Sequence, residues 1–267
     1  MLDFKIHFWW SDMVSDIFDE NDAAARALNK LTGFVRRCVD DYDMIEEGET
    51  VAVGVSGGKD SLSLLCSLAH LRRFYPKRFE IHAVTLDMGF GGMDFAPVAD
   101  FCDGLGVPYT LRRTELKRII FDERKEKNPC ALCAKMRRGA LGDLLNELNI
   151  KKIALAHHYD DAVETFLLSL LYEGRIGCFQ PVTFLDRSGI TQIRPLLYIG
   201  EGTIVKLVEK CGLPVVENTC PMNGVSKREE VKRLLRSLSQ DYPDLKDRVF
   251  GAMQRLPISG WERESGR

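Results

Sequence analysis

The chain has 267 residues, 45% apolar and 28% charged. That is an ordinary globular balance, long enough for one large or two small domains with a sizeable core, and it excludes a disordered or fibrous protein. The net charge of −2 is unevenly spread. Residues 1–50 hold five Lys/Arg against twelve Asp/Glu, a balance of −7, and the remainder carries +5, so a polyanionic partner requires a local basic patch.

No run of about 18 apolar residues occurs, so no membrane-spanning helix is predicted. Met1–Trp10 is apolar and aromatic but interrupted by Asp3, Lys5 and His7, which argues against a signal peptide and for the cytosol. Ala23–Val39 has helical periodicity, and residues 1–48 read as a helical extension. From about residue 50, strands and helices alternate. Val51–Val55 is a short buried strand, and Asp60–Tyr75 is a helix with Leu62, Leu64, Leu65, Leu68 and Leu71 at helical spacing. Phe79–Leu86 is a strand, Pro97–Leu105 a helix, Val107–Leu111 a strand and Ala134–Leu148 a helix. Lys152–Ala156 is a strand, Asp161–Tyr172 a helix, Ile190–Leu196 a fifth strand and Thr203–Cys211 a helix. Ser226–Met253 reads as helical and basic. This order predicts an α/β fold, a doubly wound, mostly parallel five-stranded sheet with helical N- and C-terminal additions. Residues 49–215 form the α/β domain and 216–267 the C-terminal segment. Ligands in such a sheet bind beyond the carboxyl ends of the strands.

The first strand runs into Ser56-Gly57-Gly58-Lys59-Asp60-Ser61 and then a helix. Two glycines permit a tight turn, the helix N-terminus favours an anion, and two hydroxyls and Lys59 complete a phosphate cradle. A Walker loop is excluded by Val53 and Asp60 at its diagnostic positions, and a dinucleotide fingerprint by the residues after Gly58. Asp60 would repel phosphate unless Mg²⁺ lies between them. The segment resembles the pyrophosphate loop (PP-loop) of the N-type ATP pyrophosphatases, whose adenine nucleotide alpha hydrolase-like fold it implies. Those enzymes cleave ATP between its α and β phosphates and adenylate a substrate.

The fourth strand ends in Ala156-His157-His158-Tyr159-Asp160-Asp161. Asp161 and Glu164 read as a capping box before Val163, Phe166 and Leu167. Asp161 is also placed to hold Mg²⁺ or a water near the α-phosphate. A metal site made from the two histidines is disfavoured, because neighbours on a strand face opposite ways. The phrase resembles the His-His-x-Asp-Asp motif of tRNA thiolation enzymes.

Of eight cysteines, Cys38, Cys66, Cys102, Cys178 and Cys211 stand alone in apolar contexts and read as core residues. Cys130 and Cys133 form a C-x-x-C pair that either chelates a metal or acts as a redox dithiol. Cys220 follows Val215-Val216 as a third candidate. Three thiolates are one fewer than the usual four of an iron–sulfur cluster and would leave one iron open. Ten Lys/Arg against four Asp/Glu lie between Arg112 and Arg138, which suits a polyanion such as tRNA.

With Ile193-Arg194-Pro195-Leu196, these motifs over residues 32–255 resemble the tRNA-cytidine 2-sulfurtransferase family. The resemblance implies ATP, Mg²⁺ and a 4Fe-4S cluster, with Cys130, Cys133 and Cys220 as cluster ligands. It implies nucleotide contacts at Gly54, Ser56, Gly57, Gly58, Lys59, Asp60, Ser61, Leu86, Ala156 and Asp161, with adenine near Thr85, Leu86 and Asp87. Asp60, Asp161 and Arg137 are the expected catalytic residues, Arg137 against developing phosphate charge. The expected partners are tRNA and a sulfur donor such as a cysteine desulfurase or sulfide, without a membrane, and a homodimer is one option for assembly. The family's second C-terminal C-x-x-C is absent, since Asn223 stands three residues after Cys220. Competing readings are 2-thiouridine formation, lysidine formation, which needs no cysteines, and a non-catalytic nucleotide or redox sensor.

Overall fold

The computed structural model describes residues 23–125, 129–222 and 227–255. Residues 1–22 of the expected N-terminal extension, and Asn223, lie outside them. Helix α1 (Ala23–Asp41) buries Leu28, Leu31, Val35 and Cys38 completely. It packs on α2 (Lys59–Leu71) and on α6 (Glu201–Cys211), so its apolar stripe belongs to the main core.

Among the described residues, six strands form one sheet: β1 (Glu49–Gly54), β2 (Phe79–Asp87), β3 (Tyr109–Arg113), β4 (Lys152–Ala154), β5 (Val182–Leu185) and β6 (Ile190–Ile193). Their spatial order is β3-β2-β1-β4-β6-β5. All pairs are parallel except β5 with β6. The five expected strands are present, and β5 is a sixth. It is four residues long, lies at an edge and leaves Phe184 60% exposed, so it lacks the apolar run that marks a buried strand. It joins β6 through a turn in which Ser188 and Gly189 donate to the Leu185 carbonyl.

The pleat divides the core. Val51 and Val53 of β1 face the main cluster with α1, α2 and α6, whereas Ala52 faces a smaller one with Val84, Ile153 and Ile190. The smaller cluster is covered by Leu144 and Leu145 of α4 (Pro129–Glu147). Helix α3 (Ala96–Gly104) buries Val98, Phe101 and Cys102.

Three boundaries differ from expectation for identifiable reasons. Helix α4 starts five residues earlier, with Pro129 at its first position, where a proline loses no helical hydrogen bond. The capping contact of α5 (Tyr159–Tyr172) is made by His158 and Asp161, not by Asp161 and Glu164: the His158 N–H donates to Asp161 Oδ2 at 3.0 Å. Glu164 is instead 3% exposed. The basic C-terminal stretch is two helices, α7 (Lys227–Asp241) and α8 (Leu245–Arg255). They part at Tyr242-Pro243-Asp244, because proline disfavours helix at the residue before it.

Leu31, fully buried between α1 and its neighbours, gives a direct check on this packing. Leu31→Ala is expected to lower the unfolding free energy by about 2–5 kcal/mol, read by urea denaturation.

Candidate functional site

The strand order reverses between β1 and β4, and both loops that leave their carboxyl ends meet at this switch point. Residues 55–58 join β1 to α2. Gly57 has φ +83°, and a Cβ there would lie 2.8 Å from Val216 Cβ, so only glycine fits. Ser61 Oγ accepts the Ser56 N–H at 3.1 Å and donates to the Gly58 carbonyl at 2.9 Å. Ser56 Oγ lies 3.2 Å from Ser61 Oγ and accepts from the Gly58 N–H. The turn is therefore tied by its own hydroxyls, with the N-terminus of α2 behind it.

Lys59 Nζ lies 3.0 Å from Asp60 Oδ1 and 3.0 Å from Glu201 Oε1. Burial works against its charge, but the two carboxylates more than offset this and raise its pKa. Segment 215–220 crosses above the loop. The Val216 N–H donates to the Gly57 carbonyl at 2.9 Å, and Thr219 Oγ1 to the Gly91 carbonyl at 2.9 Å. These bonds bring Cys220 to the carboxyl edge of the sheet.

At the end of β4, His158 is 5% exposed and stands among three carboxylates. Its Nε2 is 3.8 Å from Asp60 Oδ1 and 3.5 Å from Asp161 Oδ2, and its Nδ1 is 3.8 Å from Asp160 Oδ2. Asp60 and Asp161, the two expected Mg²⁺ ligands, are thus drawn to one imidazole edge. Asp161 Oδ1 also accepts from Arg228 Nη1 at 2.7 Å. Asp160 pairs with Lys246 Nζ at 2.6 Å and accepts the Glu201 N–H at 2.8 Å. Burial opposes its charge, yet these two donors outweigh it and lower its pKa. Glu164 is pushed up to about 7 by burial, which Lys232 and Arg228 only partly offset.

Beside this cluster, Arg194 is 5% exposed. It donates to the Gln180 carbonyl, to Thr183 Oγ1 at 3.0 Å and to Gln192 Oε1 at 3.2 Å, and it lies over the Phe179 ring at 5.0 Å. His157 packs on the same ring, centroids 4.9 Å apart.

The nucleotide-contact residues expected at strand ends are half-buried at Gly54, Leu86 and Ala156. The Thr85 hydroxyl is committed to the Val55 carbonyl at 2.6 Å, and Asp87 accepts the Gly89 N–H at 2.8 Å. Cys130 and Cys133 occupy the first turn of α4, three residues apart on one face. Cys130 is exposed, and Cys133 and Cys220 are half-buried. Burial raises the Cys133 pKa, Arg137 lowers it, and Cys220 and Cys130 raise it further, so the three thiols lie within electrostatic reach of one another. Among the described residues, no three His, Cys, Asp or Glu side chains already enclose a metal-sized space. Arg137 is exposed on α4, and its charge also acts on His157.

Sequence reasoning missed Arg228, Lys246, Glu201 and Val216 as neighbours of the site. The only signal for the first two was the basic character of the C-terminal helices.

A PP-loop domain family model matches residues 26–236. The tRNA-cytidine(32) 2-sulfurtransferase of Pelobacter propionicus is 38% identical over 232 residues, covering 86% of each chain. That of Syntrophotalea carbinolica is 38% identical over 235 residues, 87% of this chain and 90% of the relative. The chain belongs to the tRNA-cytidine(32) 2-sulfurtransferase family. Among solved structures it resembles the U34-tRNA thiolase NcsA from Methanococcus maripaludis, determined with its 4Fe-4S cluster. The two are 22% identical with a TM-score of 0.71, over 92% of this chain and 86% of that one. That likeness shows the shared fold. In the family member described here, no helix among the described residues is long and apolar enough to cross a membrane.

His157 offers a pH test of the site's electrostatics. Burial, then Arg194, pushes its pKa down to about 4, against a partial opposing pull from Asp161. The unfolded chain, with a pKa of about 6.5, takes up the proton first. The stability contributed by His157 is therefore complete above about pH 6.5 and lost as pH falls toward 4. Denaturation at pH 7 and pH 4 is expected to shift the wild-type–His157→Gln difference by up to about 3 kcal/mol in favour of the variant.

Proposed function

We propose that this chain is an ATP-dependent tRNA sulfurtransferase that replaces the 2-oxygen of an anticodon-loop cytidine with sulfur. The observation that carries the reading is the convergence, at one carboxyl edge, of the phosphate loop, the Asp60–His158–Asp161 cluster and the segment bearing Cys220. Relatives at 38% identity are named for thiolation of cytidine 32.

The residues present fit the groups this chemistry uses. A tight glycine turn with two hydroxyls and a helix N-terminus suits the phosphates of ATP. Asp60 and Asp161, on either side of one imidazole edge, suit a Mg²⁺ that keeps waters and takes one or two carboxylates plus phosphate. Cys130, Cys133 and Cys220 are the thiols with open approach. Cys38, Cys66, Cys102 and Cys211 are buried. Burial pushes the Cys178 thiol up to about 12, and its Sγ donates to the Ala162 carbonyl at 3.4 Å. Three cysteine ligands suit a 4Fe-4S cluster, which when bound supplies an open iron that carries sulfur.

The chain's own residues then have distinct tasks. The loop at 56–61 holds the phosphates so that the pyrimidine 2-oxygen attacks the α-phosphate and pyrophosphate leaves. Lys59 exchanges Glu201 and Asp60 for phosphate oxygens. Sulfur then displaces AMP at C2 of the base. Arg137, exposed between Cys133 and His157, meets developing phosphate charge. With Lys135 and Arg138 it forms an exposed basic stretch beside the Cys pair, without an ion-pair partner among the described residues. It offers the tRNA backbone a docking face. The sulfur enters at the sulfide level, as free sulfide or from a cysteine desulfurase whose persulfide a thiol reduces.

Nucleoside mass spectrometry of tRNA from a deletion strain is expected to lack 2-thiocytidine and to regain it on complementation. Complementation with Cys130, Cys133 and Cys220 all changed to Ala is expected to restore nothing, and that variant, purified anaerobically, to lose iron and visible absorbance. An unchanged thionucleoside profile overturns the tRNA assignment, and unchanged iron overturns the cluster assignment.

A further inference from the structure

Helix α7 delivers one side chain to the carboxylates that open α5. Arg228 Nη1 donates to Asp161 Oδ1 at 2.7 Å, and Nη2 to Thr165 Oγ1 at 3.1 Å. Glu164 Oε2 lies 3.8 Å from the same Nη1 and has no hydrogen-bond partner of its own. One turn further along α7, Lys232 Nζ is 4.0 Å from Glu164 Oε1. Asp161, Glu164 and Thr165 share one face of α5 by their spacing, and Arg228 and Lys232 share one face of α7. The contact between the helices is therefore an ionic stripe.

Packing alone does not call for it. Helix α7 already buries Val231 and Leu235, and partly buried ion pairs add little net stability compared with apolar side chains of similar size. The place of the stripe gives it a different use. Asp161 has one oxygen on Arg228 and the other on the His158 N–H. The His158 ring in turn reaches Asp60 in the phosphate loop. Asp160 flanks Asp161 with like charge, and Arg228 is the cation in hydrogen-bond contact with it. A carboxylate oxygen bonded to a guanidinium keeps a second lone pair for a metal ion.

We propose that Arg228 is a positioning residue for Mg·ATP. It holds the Asp161 carboxylate turned toward Asp60, so that both reach one divalent cation on the phosphates. Helix α7 thereby completes the nucleotide site from 67 residues further along the chain. The proposal rests on the reading of Asp60 and Asp161 as Mg²⁺ ligands and adds the residue that makes one of them competent.

The test is calorimetric titration with ATP, in Mg²⁺ and in EDTA, without tRNA. The proteins are wild type, Arg228→Gln, Arg228→Lys, Asp161→Asn and the Arg228→Gln/Asp161→Asn double variant. Partners behind a metal ligand typically contribute 10–100-fold in metal affinity. Arg228→Gln is expected to weaken Mg·ATP by roughly that factor and to leave binding in EDTA unchanged. Arg228→Lys keeps the charge but not the fork and is expected to recover part of the loss. The double variant is expected to bind no more weakly than Asp161→Asn. Equal weakening with and without Mg²⁺, additive losses in the double variant, or an indifferent Arg228→Gln overturns the proposal. If Arg228→Gln does not fold, Arg228→Lys decides by the same comparison, with a smaller Mg²⁺-specific loss expected. A wild-type protein that binds no Mg·ATP overturns the proposed function itself, whereas wild-type binding with indifferent variants overturns only the role of Arg228.

Discussion

The parallel pairing of β1 with β4, Val51 to Lys152 through Val53 to Ala154, is the constraint on which the site depends. These strands come from distant parts of the chain, and their pairing aligns their carboxyl ends. Two loops of unrelated sequence, Ser56–Gly58 and Leu155–His158, then leave the sheet side by side. The helices that follow, α2 and α5, start from the same edge with their N-termini toward the same space. Asp60 and Asp161 each lie in the first turn of one of these helices. That is why one imidazole, His158, reaches both.

The surrounding charges follow from this crowding. Four carboxylates, Asp60, Asp160, Asp161 and Glu164, gather where two helix N-termini begin. Each has a cation nearby, and the four cations come from three helices: Lys59 from α2, Lys246 from α8, and Arg228 and Lys232 from α7. The C-terminal helices are thus more than a basic appendage. Lys246 helps outweigh the burial of Asp160 and lower its pKa, whereas Lys232 and Arg228 only partly offset the burial that raises Glu164.

Much of this was legible in the sequence, for physical reasons that differ by element. The buried strand β1 and the stretch Ile153–Ala156 that contains β4 announce themselves as apolar runs, and β2 by the alternation from Phe79 to Ala83. The phosphate loop shows itself because a turn needing φ > 0 and hydroxyl ties leaves Gly57, Ser56 and Ser61 in fixed order. The edge strand β5 was illegible, since four half-exposed residues carry no periodicity. The start of α4 was missed because Pro129 opens it and its first half buries no side chain fully, Leu132, Cys133 and Met136 being only half-buried among exposed neighbours. Arg228, Lys246 and Glu201 were invisible for another reason. A single basic or acidic residue on an amphipathic helix has the pattern of a solvated surface, and only the tertiary fold turns it inward.

The bond from Val216 to the Gly57 carbonyl, and those from Arg228 and Lys246 to carboxylates 67 and 86 residues behind them, have a consequence for biosynthesis. The glycine turn is written early in the chain but closed late. As the chain leaves the ribosome, β1, α2 and β2 can assemble on local contacts while the phosphate loop still lacks the strand of backbone that lies across it. The contacts that close the loop and pair its carboxylates therefore wait on the last quarter of the chain. A chain that ends before residue 215 holds the recognisable glycine turn without the backbone that lies across it.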